Sequence, residues 1–118
     1  MRTTTLRLHV DGRDVAPLWL ADSYWRRARG LLGTRSIPGA LLLRPGNSVH
    51  GMGMLYALDV ALLDDEATVL HVLTLRPFGL TRPRPGVRQV LEANRGSFSR
   101  WGLRVGSRIT AHDNGNGR

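Results

Sequence analysis

The chain has 118 residues, 42% of them hydrophobic and 22% charged, a size and balance that allow one domain with a real core and exclude intrinsic disorder. It contains no cysteine, so disulfides and thiolate chemistry are excluded, and a metal would have to be held by imidazole, carboxylate, thioether or backbone oxygen. The formal charge of +8 favours polyanions as partners, yet all 17 basic residues are Arg, a bias that GC-rich codon usage produces without selection for phosphate binding.

Residues 5 to 10, TLRLHV, set Leu6, Leu8 and Val10 on one face and Thr5, Arg7 and His9 on the other, the period of a half-buried strand. Asp11-Gly12 is a strong hairpin signal, and Val15 to Leu20 supplies the returning strand. The period then changes. With Asp22 or Ser23 as N-cap and Gly33 as stop, Trp25, Ala28, Leu31 and Leu32 share one face of the principal helix, expected at residues 22 to 32. Arg26, Arg27 and Arg29 lie mostly off that face, as on a solvated helix surface.

Further strands are expected at 40 to 43, around Ser48 to Met54, and at 58 to 64. ATVLHVLTL, residues 67 to 75, is apolar on both faces and reads as a central strand buried on both sides, with His71 as a hydrogen-bonded core histidine. A loop rich in Arg and Pro carries Arg76, Arg82, Arg84 and Arg88 around Phe78. VRQVLE (87 to 92) is another strand, SFSRWG (97 to 102) a short helical turn and SRITAH (107 to 112) the last strand.

The expected fold is α+β and mainly antiparallel β: a small bent sheet, closing toward a barrel that the one principal helix plugs or flanks. Residues 1 to 111 form a single globular domain, and a disordered tail occupies 112 to 118. No apolar run reaches the roughly 20 residues needed to cross a bilayer and no signal-peptide core is present, so the expected location is the cytoplasm, away from the membrane.

The stretch NSVHGMGMLYALDVALLDD, residues 47 to 65, carries the chemistry. On a strand, His50, Met52 and Met54 project from one face while Gly51 and Gly53 leave the other bare. Imidazole with two thioethers suits a soft ion such as Cu(I); equally, Met fills irregular apolar space and Gly marks a bulge or bend. Asp59 and Glu92 each interrupt or end an apolar strand, where a carboxylate must be paired with Arg or backbone N–H groups. They are either structural anchors or, with His50, members of one acid/base cleft.

The order of RARGLLG, the His nine residues before the Asp of LYALDVALLD, VLEANRG and LRVGSRI resembles the bacterial and archaeal family known as domain of unknown function 192, over roughly residues 15 to 110. The resemblance implies a small β-rich domain without a settled activity. Gly30 and Leu31 match its first motif, Asp59 its Leu-Asp, Glu92 and Gly96 its Val-Leu-Glu and following Gly, and Gly106 its last Gly. Many members have a Trp-Met-Lys-Asn-Thr run where this chain has HGMGM, a Pro at Ala57 and an acid at Ser107, so any ligand that run holds is released or held differently here.

These readings converge on a binding or interaction module whose mouth presents His50, Met52 and Met54, with Asp59, Glu92 and Trp101 or Phe78 nearby, to a small molecule or protein. No cofactor motif is present. The alternatives are an enzyme built on His50, Asp59 and Glu92, a copper-binding protein, or a nucleic-acid binder, for which the scattered cations predict weak, non-specific affinity.

Overall fold

The computed structural model describes residues 5 to 21, 39 to 44, 57 to 76 and 82 to 113. The expected helix at 22 to 32, the strand at 48 to 54 with His50, Met52 and Met54, and Phe78 lie outside the described residues. Seven strands, β1 (Thr5–Val10), β2 (Arg13–Ala21), β3 (Ala40–Leu43), β4 (Leu58–Leu63), β5 (Val69–Leu75), β6 (Gln89–Asn94) and β7 (Ile109–Asp113), form one sheet, and a short helix, α1 (Ser97–Trp101), lies between β6 and β7. The spatial order is β5-β4-β6-β3-β2-β1-β7, with every pair antiparallel except β2 and β3.

The expected hairpin is present, and Asp11 and Gly12 adopt φ of 51° and 86°, the positive pair that matches a two-residue turn to the twist of its strands. Side-chain alternation carries one line of inward positions across the sheet, so Leu8, Val10, Leu18, Ala40, Leu42, Ala61, Leu63, Leu91, Ala93 and Ile109 bury together with Phe98, Trp101 and Leu103. The opposite face is divided. Over β3, β6, β4 and β5 it is apolar and buried, with Leu43, Leu58, Val60, Leu62, Leu75 and Val90 in a second cluster. Over β2, β1 and β7 it carries Arg7, His9, Asp14, Thr110 and His112.

Three expectations need correction. Among the described residues the sheet does not close into a barrel. Its edge strands β5 and β7 converge at one end, through the bridge between Thr68 and Arg108 and the bonds Val69 N–H to Ser107 O (2.8 Å) and Gly106 N–H to Val69 O (2.9 Å), and then diverge. β5 is an edge strand rather than a central one, pairing among the described residues with β4 alone, and its Val72 is 40% exposed. β6, which lies between β4 and β3, is buried on both faces, as β4 is over most of its length. Trp101 is a core residue, 9% exposed, with its ring 5.9 Å from that of Phe98, and so does not line an open mouth.

Two surface carboxylates give this fold a defined acid response. The hydrogen bonds of the Arg7 guanidinium hold the Asp14 carboxyl below its ordinary value, and the Arg108 backbone N–H does the same for Asp11. A carboxyl depressed in the folded state stabilises it above the unfolded value near 3.9, and that contribution fades as pH falls through the lower folded value. Asp14→Asn is therefore expected to melt slightly below the parent at pH 7 and to converge with it as pH falls through the lowered folded value. Both groups are exposed, so the difference should be small and shrink with salt; a gap that widened on acidification would contradict this account.

Candidate functional site

Asp59 sits on β4, facing Ala93 of β6 on the inward side. Its Oδ2 accepts hydrogen bonds from the backbone N–H groups of Gly96 and Phe98, both at 3.0 Å. Gly96 has φ 93°, a left-handed turn that glycine makes without a Cβ penalty, and it is the N-cap of α1 with no side-chain cap of its own. The carboxylate of a distant strand thus supplies the acceptor that a local Ser or Asp would otherwise provide. At the other end of α1, Arg13 Nη2 donates to Trp101 O at 2.7 Å. The helix is held at its start by β4 and at its end by β2, which seats Phe98 and Trp101 in the inner core.

Glu92 is 0% exposed and lies opposite Leu41 of β3 and Val60 of β4. Directly opposed residues share a face, so Glu92 belongs with Val60 and Asp59 with Ala93. Successive positions alternate, and the two carboxylates therefore project from opposite faces of the sheet. The structure does not bring them to one cleft, which leaves no paired-carboxylate arrangement for acid/base work.

A further polar group, missed in the sequence, lies on the outer side of β1. Arg7 pairs with Asp14 (Nη2 to Oδ1, 2.6 Å), His9 Nε2 is 3.8 Å from Asp14 Oδ2, and the His9 and His112 rings stack with centroids 3.9 Å apart. Thr110 Oγ1 is 3.0 Å from His112 Nε2. The alternation of Arg7 and His9 with the apolar residues of β1 marked that face as polar, but only the pairing of β1 with β7 unites the histidines. No group of three or more His, Asp or Glu side chains among the described residues is arranged to hold a metal ion.

Residues 6–111 match the family model of DUF192, described as uncharacterized. A UPF0127 protein of Pyrococcus abyssi is 32% identical over 97 residues, spanning 76% of this chain and 81% of its own, and another of Pyrococcus horikoshii is 33% identical over 82 residues, spanning 65% and 71%. Two crystal structures share the fold. One is a Sinorhizobium meliloti protein described provisionally as a transcription regulator, with TM-score 0.78 and 21% identity over 94% of this chain and 96% of that one. The other is a Novosphingobium aromaticivorans protein of unknown function, with TM-score 0.69 and 18% identity over 92% and 84%.

Proposed function

Because the chain belongs to the DUF192 family, whose description is uncharacterized, we propose that it is a small binding or interaction module rather than a catalyst. The observation that carries this reading is the separation of Asp59 and Glu92 onto opposite faces of the sheet, with Asp59 committed to the backbone of the turn into α1. A general acid and a general base need a common substrate within hydrogen-bond reach, and these two carboxylates have none between them. We assign the ligand contact to His50, Met52 and Met54 and a supporting role in the fold to Asp59 and Glu92, and take the ligand to be a small molecule or an exposed segment of a protein. The provisional regulator description of the Sinorhizobium protein is not carried over, since 21% identity transfers a fold alone.

A thermal-shift screen of small molecules and peptides tests the proposal, because a ligand at 100 times its Kd adds about 2.7 kcal/mol to stability. His50→Ala is expected to leave the melting temperature of the free protein nearly unchanged while abolishing the shift that a hit produces. Asp59→Asn and Glu92→Gln are expected to lower the melting temperature of the free protein. Carboxylate variants that stayed fully stable but lost a measurable turnover would replace this reading with the enzymatic one.

A further inference from the structure

The 14 residues from Arg95 to Arg108, RGSFSRWGLRVGSR, contain four arginines and no acid. Of the eight acidic residues described, three fall together at Asp64, Asp65 and Glu66. The fold gathers the basic segment around α1. Arg95, Arg100, Arg104 and Arg108 are all exposed, as is Arg13.

Their placement is held by specific contacts. Arg13 Nη2 bonds Trp101 O, and a Cβ added at Gly102 would come within 2.9 Å of it, so this guanidinium lies against the C-terminal end of α1. Arg100 Nη2 is 3.2 Å from Ser97 Oγ and its Nη1 would lie 3.5 Å from a Cβ at Gly96, which puts a second guanidinium at the N-terminal end. Asp59 is turned inward to the backbone of Gly96 and Phe98, and Asp11 accepts the Arg108 backbone N–H at 2.9 Å. The Arg100 guanidinium thus stands at the start of α1 and that of Arg13 at its end, so that two cations flank the helix.

We propose that the exposed face of α1 and its flanking turns, carrying Arg13, Arg95, Arg100, Arg104 and Arg108, is a docking surface for the phosphate backbone of nucleic acid. None of its residues belongs to the ligand contact assigned to His50, Met52 and Met54. It presents guanidinium groups to phosphates and no built set of donors and acceptors to base edges, so its binding is sequence-independent and falls with salt.

Fluorescence anisotropy with a labelled 20-mer, single-stranded and duplex, at 50 and 200 mM salt tests this surface against a matched control. The variant Arg95→Gln/Arg100→Gln/Arg104→Gln spares Arg13, which supports the helix; the control is Arg82→Gln/Arg84→Gln/Arg88→Gln. The first is expected to weaken binding at 50 mM salt by about tenfold or more and to flatten the salt dependence by about one power of salt concentration for each phosphate it no longer neutralises. The control is expected to stay within about threefold of the parent, with both variants melting as the parent does. Equal weakening in the two variants would mean diffuse attraction and overturn the proposal, as would discrimination among oligonucleotide sequences or tighter binding to phosphatidylserine vesicles than to the oligonucleotides. If the α1 variant is unfolded, the single variants Arg95→Gln and Arg104→Gln decide: weakening of about threefold or more at 50 mM salt in each upholds the proposal, and binding unchanged in both overturns it.

Discussion

Replacing Gly39 with alanine is expected to cost about 3 kcal/mol, at the upper end for forcing extra atoms into a packed site, and to lower the melting temperature by roughly 10 °C. Gly39 precedes β3 where that strand runs alongside β2. A Cβ built there would overlap Pro17 O and lie 3.1 Å from Pro17 C and 3.0 Å from the edge of the Trp19 ring. Two of those three neighbours are backbone, which cannot swing aside as a flexible side chain can. Relief would require β3 to withdraw from β2 at the sheet's one parallel pairing, where Ala40 aligns with Leu18 and Leu42 with Leu20. Both strands contribute to the inner core, so the withdrawal would loosen packing as well as the ladder. Chemical denaturation of the alanine variant measures this directly. A loss below about 0.5 kcal/mol would mean that the two strands leave room for a methyl group and are not in close approach at this point.

Asp59→Ala is expected to cost about 2 kcal/mol, because it leaves the N–H groups of Gly96 and Phe98 without their acceptor in a half-buried turn. Asp59→Asn keeps an oxygen that can accept and loses only the charge, so it should cost about half as much. Hydrogen exchange distinguishes this anchoring role from a general loss of stability. The amides of Gly96 and Phe98 should lose protection in Asp59→Ala under conditions where those of β1 and β2 do not. Uniform loss across all strands would deny Asp59 its local role, and an unchanged melting temperature would deny it any.

The parts of this fold that were legible in the sequence are those written in local pattern. Alternation marked β1, Asp11-Gly12 marked its turn, and ALLL, LDVALL and SFSRW marked β3, β4 and α1 at nearly their observed limits. What local pattern could not report is how many neighbours a strand has. VLHVLTL and QVLEAN are both mainly apolar, but the first became the edge and the second the middle. The charged residue inside QVLEAN made it look the less buried of the two, although Glu92 is fully buried. Nor could pattern show that the sheet stays open, since closure depends on whether two edges far apart in sequence meet along their length or only at Thr68 and Arg108. For Asp59 the kind of residue was legible, a carboxylate in an apolar strand that must be satisfied; its partners, the backbone N–H groups of Gly96 and Phe98, have no side-chain signature. Asp59 and Glu92 were open to two readings, separate anchors or members of one cleft, and only register assigns them to opposite faces.

The position of β1 between β2 and β7 bears on how the protein is made in a cell. During synthesis the β1–β2 hairpin emerges ahead of the rest of the sheet, and the edge of β1 that pairs with β7 waits for Ile109 to Asp113, as the inner core waits for Phe98, Trp101, Leu103 and Ile109. A nascent chain therefore holds Leu8, Val10 and Leu18 on an unfinished sheet until the segment from β2 to β7 has been made, as a substrate for chaperones, and can complete its cooperative fold only after release of the β7 segment.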